Sequence, residues 1–540
     1  MSVKRRYKSP GKWTARWLAL SVHLDAFRSN PVAYLTAIWW RLCRKKLRSR
    51  YQFASLLGRS RNAYRLWLIR GGAARFDEDA EIDGPPIIAL IDAREMDELE
   101  QTLRSLTAES VTALAIGTSE LPTLTEAVLQ IDWKQEPWLM PLCAGDTLAR
   151  GSIAAYRSAI ASADDAVSLF YTDDDLLDEN GEEGFPHFKP DWNSELYCHH
   201  DYLTGASLLR VNEEDLRECA ESQDWMSDLT ARATEKARPM HLRWMLHHRR
   251  KRPRPRLPAA VSTSWRNLPP VSIIVPTRNR VDLLRTCLEG VDVTDYPDIE
   301  VIIVDNDSDD PDTLAYLASL DPFRYRILRH SGPFNFSEIN NRAAKEAKGR
   351  LLCLLNNDIE MIGPDWLSTM AVQAQREDVG AVGAQLLYPD GRIQHAGVVI
   401  GMGNAAGHAH RFLRPDEEGY FHRHLLPQFT MAVTAACLVV DKEKFMDVGG
   451  LDEESFPVAF NDVDLCLRLN EKGWQSLYEP RAKLIHHESV SRGLDRDPLG
   501  AARFAKELAA LQRIWRTDEL TDPFHHPQLS RASEQFVIAL

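Results

Sequence analysis

Three apolar runs in the second half of the chain each end in a polar turn whose residues could do chemistry. VSIIVPTRNR (271–280) is a run of β-branched and apolar residues stopped by Pro276, with Thr277, Arg278 and Asn279 beyond it. EVIIVDNDS (300–308) ends in Asp305, Asn306 and Asp307, and GRLLCLLNNDIE (349–360) ends in Asn356, Asn357 and Asp358. Each apolar run reads as a strand buried on both faces. In an open parallel sheet, ligands bind beyond the C-terminal ends of the strands. Side-by-side turns carrying carboxylate and amide groups can hydrogen-bond a nucleobase or ribose; the alternative is an ordinary solvated turn. Asp358 beside two amides can hold a divalent ion, which would neutralise a diphosphate leaving group. Its alternative is a cap for the turn that follows. A fourth carboxylate, Asp462, opens a helix-period segment in FNDVDLCLRLNEKGW (460–474). It is either an N-cap or a general base.

Taken together and in order, VPTRN, VDNDS, NNDIE, GGLDEESFPVAFNDVDLCLRL and HHESVSRG resemble the family-2 inverting glycosyltransferases of GT-A fold, over most of 269–493. The resemblance is nearest to the bacterial branch that builds O-antigen and other surface polysaccharides, with rhamnosyltransferase-like members. FPHFKPDWNSELY (185–197) and the segment after Asp495, with DPFHHPQLS, also look like that branch. The resemblance implies roles. Pro276, Thr277, Asp305 and Asn306 match the donor nucleoside pocket, and Arg342 a position near the donor phosphates. Asn357 and Asp358 match the last two positions of the Asp-x-Asp metal motif, for Mg²⁺ or Mn²⁺, with Asn356 where many members have Asp. Asp462 matches the general base, with Asn461 in place of the neighbouring Glu. His486 or His487 matches a histidine that completes the metal shell. The implied reaction is direct displacement with inversion: Asp462 takes the proton of an acceptor hydroxyl, and the donor is a nucleotide-sugar.

These residues need elements to position them, and 540 residues exceed one core. The sequence divides into a basic amphipathic arm (1–70), a first α/β unit (71–245), a basic Pro-rich linker (246–268), the unit bearing the motifs (269–493) and a helical tail (494–540). The expected fold class is α/β: a Rossmann-like, mostly parallel catalytic sheet preceded by a degenerate copy of itself. The copy is visible as a repeat. PPIIALIDAREMDELEQTL starts at Pro85 and PPVSIIVPTRNRVDLLRTCL at Pro269, and Asp224 parallels Asp462. Gly117 stands where the second unit has Asp305, and either Gly145 or, one residue along, Asp146 stands opposite Asp358. Asp173-Asp174-Asp175, followed by LLDENGEEG, reads as an exposed turn. In GRIQHAGVVIGMGNAAGHAHRFLRPDEEGYFHRHLL (391–426), glycine and histidine suggest a loop over the acceptor side. His395 is its candidate contact, with Phe429, Thr430 and Met431 alongside; structural roles are the alternative for each.

Charge points to location. Residues 1–70 hold 17 Lys and Arg against one acid, Asp25, so the remaining 470 residues carry −29 of a total of −13. Trp13, Trp17, Trp39, Trp40, Tyr51 and Trp67 interleave those cations, a pattern suited to an anionic membrane surface. The acidic remainder disfavours nucleic acid. The apolar run 31–40 is too short to span a bilayer, no signal peptide is visible, and eight scattered cysteines with no Cys-x-x-Cys pair suit a reducing compartment. The expected location is the bacterial cytoplasm, peripheral on the inner face of the cytoplasmic membrane, with a glycan or lipid-linked saccharide as acceptor. A silent glycan-binding scaffold is the rival from another class. A nucleotidyltransferase would want a glycine-rich phosphate loop that 276–282 lacks, and a processive synthase would want multiple membrane spans.

Overall fold

The computed structural model describes residues 12–72, 83–95, 98–164, 166–259, 268–487 and 498–540. The expected boundary at 493 lies outside them.

Two sheets organise the chain. The first contains β1 (Ile87–Asp92), β2 (Thr112–Ile116), β3 (Trp138–Cys143), β4 (Thr147–Leu148), β5 (Leu169–Leu177), β6 (Glu183–His187), β7 (Ser207–Leu209) and β8 (Met240–Arg249). Its order is β2-β1-β3-β7-β5-β8-β4, with β6 paired to β5. The second contains β9 (Val271–Thr277), β10 (Ile299–Asp305), β11 (Tyr325–Arg329), β12 (Leu351–Leu355), β13 (Ile359–Met361), β14 (Val379–Leu387) and β15 (Ile393–His395). A small separate ribbon, β16 (Val398–Ile400) with β17 (Ala406–His408), follows; β18 (Gln428–Thr430), β19 (Cys437–Asp441) and β20 (Gln475–His486) then complete the second sheet. Its order is β11-β10-β9-β12-β19-β14-β20-β13. The half from β11 to β12 is parallel; beyond it the sheet is mixed. Helices cover both faces, which is why β9 reads as an unbroken apolar run: Val271, Ile273 and Val275 enter one core and Ile274 the other.

With β11 and β18 set aside, the two sheets match strand for strand, in order and in direction. Their registers align residues. Thr147 pairs with His248 as Ile359 pairs with His486. The residues just before, Asp146 and Asp358, are therefore counterparts, and Gly145 is not. Leu139 pairs with Ile88 and Leu351 with Val271, so Ala93 and Arg94 fall at Pro276 and Thr277.

The Asp173–Asp175 run corrects the sequence expectation. It lies inside β5 with all three side chains buried. Asp174 pairs with Lys189 (2.7 Å) and with Arg252, and Arg249 lies 3.8 Å away. Asp175 accepts from Tyr64 (2.6 Å) and meets His248 at 2.7 Å. Burial alone would raise the Asp173 and Asp174 pKa values; the rings of His526 and His241 beside Asp173, and Arg252, Lys189 and Arg249 around Asp174, more than offset this and hold both below the usual range. The basic stretch expected as linker is part of the same arrangement. β8 runs to Arg249, past the expected boundary at 245, and Arg249 and Arg252 are consumed by these carboxylates.

The arm folds as helices Lys12–Ser29, Pro31–Leu42, Lys46–Gly58 and Ala63–Ile69. Asn30 caps the second, its Oδ1 accepting from the Ala33 N–H, with Pro31 in the first turn where its missing donor costs nothing. The fourth helix belongs to the body: Tyr64 and Trp67 pack on Phe188. Beyond the helix Pro498–Trp515, the tail crosses both units. Pro523 accepts from the Asp191 N–H (2.7 Å), Gln528 Oε1 from Trp67 (2.9 Å), and the Phe524 carbonyl from Arg423 (3.0 Å). Among the described residues no helix is long and apolar enough to cross a membrane, and all eight cysteines are free.

Candidate active site

The strand ends of the second sheet form one hydrogen-bonded rim. Asn306 N–H donates to the Thr277 carbonyl (2.9 Å), joining the turns after β9 and β10. Thr277 Oγ1 accepts from Asn357 Nδ2 (3.0 Å), joining β9 to the turn after β12. Asn356 N–H donates to the Ala436 carbonyl (3.0 Å), and one residue back the Ala435 N–H donates to Asp462 Oδ2 (3.0 Å). Thr277, Asn306, Asn357, Asp358 and Asp462 are thus brought together by backbone positions, not by long flexible side chains.

The turn after β9 carries strain. Asn279 and Arg280 both have positive φ, 54° and 55°, where non-glycine residues cost energy and persist only when held. Asn279 is held: its N–H donates to Ser308 Oγ (2.8 Å), and its Oδ1 accepts from the Asp309 and Asp310 N–H groups. The sequence marks Asn279 only as a turn residue; its amide fixes the spacing of the turns after β9 and β10.

Asp305 is fully buried, ion-paired with Arg329, and accepts from the Ser308 N–H (3.2 Å). Asn306 Nδ2 donates to the His330 and Gly332 carbonyls. Arg342, exposed on the helix Phe336–Glu346, donates to the Arg329 carbonyl (2.7 Å). It therefore stands on the Asp305 flank of the rim. Arg329 was not foreseen, because nothing in its spacing marks it. Pro276 does not stop the strand as its type suggested: β9 runs through it, in register with Val304, to Thr277.

At the centre, His486 Nε2 lies 3.1 Å from Asp358 Oδ1. The other ring nitrogen, Nδ1, is 2.7 Å from Gln394 Oε1. A carbonyl oxygen only accepts, so Nδ1 carries a proton, and in the neutral ring Nε2 presents a lone pair toward the carboxylate. Asn356 Nδ2 stands 3.4 Å from the same Nε2, the donor side of an amide facing an acceptor. A carboxylate oxygen and an imidazole lone pair converging at this separation suit a divalent cation, and the Gln394 contact is the kind of outer partner that fixes a ligand histidine. His487 turns away to Glu360 (2.9 Å). Gln394 was missed in favour of its neighbour, although alternation along β15 puts the two on opposite faces.

His395 does not reach a substrate surface. It is fully buried, its Nδ1 2.9 Å from His408 Nδ1, and its Nε2 accepts from the Gly397 N–H. Burial lowers the pKa of both rings, that of His408 to about 3. Phe429 is core, Thr430 Oγ1 donates to the Val398 carbonyl, and the Met431 carbonyl accepts from Asn470.

Asp462 is the second residue of the helix Asn461–Glu471, yet it does not cap that helix in the usual way. Its Oδ1 accepts from the next residue, Val463, and its Oδ2 reaches out to Ala435. Burial raises its pKa, against hydrogen bonds from Ala435, Val463 and Thr434 that favour the charged form. A part-buried carboxylate of raised pKa is suited to general-base work. Asp224 differs: it is exposed ahead of the helix Trp225–Lys236 and makes no capping bond.

One other group among the described residues has metal-ligand spacing, Asp173 with His241 and His526. There, His526 Nδ1 accepts from the Gln528 N–H (3.1 Å), so the proton sits on Nε2, which faces Asp173 at 3.1 Å. His241 stands between Asp173 and Asp191, one ring nitrogen 3.1 Å from each. With its proton on Nε2, His526 offers no lone pair there, and the cluster is a lock between the tail and β5, an imidazole N–H facing a carboxylate.

Residues 272–439 match the family model described as Glycosyl transferase family 2. An uncharacterized protein, y4gI, of Sinorhizobium fredii is 39% identical over 418 residues, covering 69% of this chain and 46% of the relative. The O-antigen biosynthesis protein RfbC of Myxococcus xanthus is 35% identical over 484 residues, covering 81% of this chain and 36% of the relative. A shorter match, 43% identical over 63 residues, joins 12% of this chain to 20% of the N-acetylglucosaminyl-diphospho-decaprenol L-rhamnosyltransferase of Mycobacterium tuberculosis. The chain thus spans less than half the length of the relatives it matches.

Proposed function

The chain carries a family 2 glycosyltransferase domain over residues 272–439, and from that premise we propose that it moves a sugar from a nucleotide-sugar donor to a glycan or lipid-linked saccharide, with inversion, in the building of a bacterial surface polysaccharide. The observation that carries this reading is the rim itself: Thr277, Asn306, Asn357 and Asp462 linked by four hydrogen bonds across the strand ends. The names of the relatives support the polymer and the lipid-linked acceptor.

Asp462 accepts the proton of the attacking hydroxyl while Ala435 and Val463 hold the carboxylate still. Pro276, Thr277, Asp305, Asn306 and Asn357 line the nucleoside side, and Arg342 supplies charge on that flank. Asp358 and His486 would hold Mg²⁺ or Mn²⁺, which when bound neutralises charge on the departing diphosphate. One carboxylate base is enough for a direct displacement.

The first unit reads as a degenerate copy. Where the second unit has Thr277, the first has Arg94, clamped on Asp92 (2.8 Å) and on the Gln223 carbonyl (2.6 Å). Where the second has His486, the first has His248, drawn to Asp175 at 2.7 Å, and Arg249 stands 3.9 Å from Asp146. A fixed guanidinium occupies the place where an ion would be needed. The arm supports a peripheral place on the inner face of the cytoplasmic membrane: Trp13, Trp17, Val32, Trp39 and Leu42 are 80%, 67%, 76%, 64% and 73% exposed amid its cations. Incubation with a nucleotide-sugar panel and Mn²⁺ tests the enzyme reading. Release of nucleoside diphosphate with one member supports it, and none with any member removes it.

A further inference from the structure

A cavity of about 540 Å³ lies away from the rim. Four distant stretches build it: the end of the third arm helix at Gly58 and Arg59, Pro186 on β6, the 410–420 segment, and the tail at 535–538. Its size falls in the range of small-ligand sites.

The wall is aromatic. His410 lies flat on Phe536, ring centroids 4.5 Å apart, and Tyr420 stacks on Phe536 at 5.7 Å. His410 is 2% exposed, one face of its ring covered by Phe536. Burial holds it neutral, so it offers one donor and one acceptor. Gln535 lines the same cavity, and its buried Oε1 has no partner. Unpartnered buried polar groups are uncommon in folded proteins. Glu417 and Glu418 stand exposed at the mouth, and Gly419, at φ 58°, turns the chain between them and Tyr420.

The cavity and the rim are also joined through one segment. Gln394 holds His486 at the rim, the next residue, His395, meets His408, and two residues on is His410 in the cavity wall.

We infer that this cavity binds a neutral oligosaccharide, the part of the acceptor glycan remote from the reacting hydroxyl. The apolar lining around Tyr420 and Ile538 suits the C–H faces of sugars, and the Gln535 Oε1 without a partner suits a hydroxyl. Two carboxylates against the single Arg59 disfavour a nucleotide or a phosphate. The acceptor role rests on the glycosyltransferase reading; binding of glycan does not.

The test is an array of neutral hexasaccharides (rhamnan, mannan, glucan and galactan) probed with the full chain without donor. At least one member should be retained. His410→Ala and the surface change Glu418→Gln should each weaken that retention, the former at least tenfold, with unchanged melting temperature for Glu418→Gln. Asp462→Asn should retain the same member, since binding and not transfer is read. No member retained, or retention unmoved by both cavity variants, overturns the proposal. Retention by a chain that turns over no nucleotide-sugar leaves the cavity standing and removes the glycosyltransferase reading instead.

Discussion

His486 Nε2 stands 3.1 Å from Asp358 Oδ1, and the same ring is fixed from behind by Gln394 at 2.7 Å. The three residues come from β20, the turn after β12 and β15. Their meeting requires the mixed half of the sheet, where β20 pairs with both β13 and β14.

Gln394→Ala should weaken Mn²⁺ binding roughly 10–100-fold, the usual effect of removing a partner that orients a ligand histidine. Calorimetric titration of Mn²⁺ reads it, with His487→Ala as the control that leaves affinity unchanged. Equal loss in both would assign the ion elsewhere.

The pH dependence of kcat/KM should follow Asp462. Its pKa is raised by burial, and the base works only when ionised. Activity should therefore fall as pH drops toward a midpoint above the ordinary carboxylate value of 3.8. A profile flat down to pH 4 would contradict this.

Asp174→Ala should destabilise the fold by about 3–5 kcal/mol, because it strands buried Lys189, Arg249 and Arg252 without their carboxylate. Denaturant melts measure it. A change within about 0.5 kcal/mol, typical of an exposed turn, would return Asp174 to the surface.

The lock on Asp173 sets an acid limit. Its folded pKa lies below the unfolded value of 3.8, so its stabilisation is present above pH 3.8 and is lost as pH falls below it. Asp173→Asn should flatten that part of the stability curve; an unchanged slope would show the lock to be inert.

Replacing Trp13, Trp17 and Trp39 by Ala should reduce flotation with anionic liposomes and leave melting unchanged, because these rings are exposed. Deleting the whole arm would be a poorer test, since Tyr64 and Trp67 are bonded into the body. Full flotation of the triple variant would remove the membrane role of these residues.

The rim was legible in the sequence because its signals are local: an apolar run, then a polar turn. Asp305, Asn357 and Asp358 each announce themselves within a few residues. The Asp173–Asp175 run was misread because its meaning depends on distant partners, from Tyr64 to His526. The basic linker misled for the same reason, since Arg249 and Arg252 are that run's counter-charges. The opposite of Asp358 in the first unit needed strand register, which one sequence lacks. His395 stands out in the sequence by residue type, whereas Gln394, on the opposite face of the strand, carries no such signal.

The most direct measurement is single-turnover sugar transfer by Asp462→Asn under saturating donor, with donor affinity measured in parallel. Donor affinity should be unchanged and the transfer rate about 10²–10⁴-fold lower, the usual worth of a general base. Full-rate transfer with intact donor binding would contradict the assignment of Asp462 and, with it, the proposed chemistry of the rim.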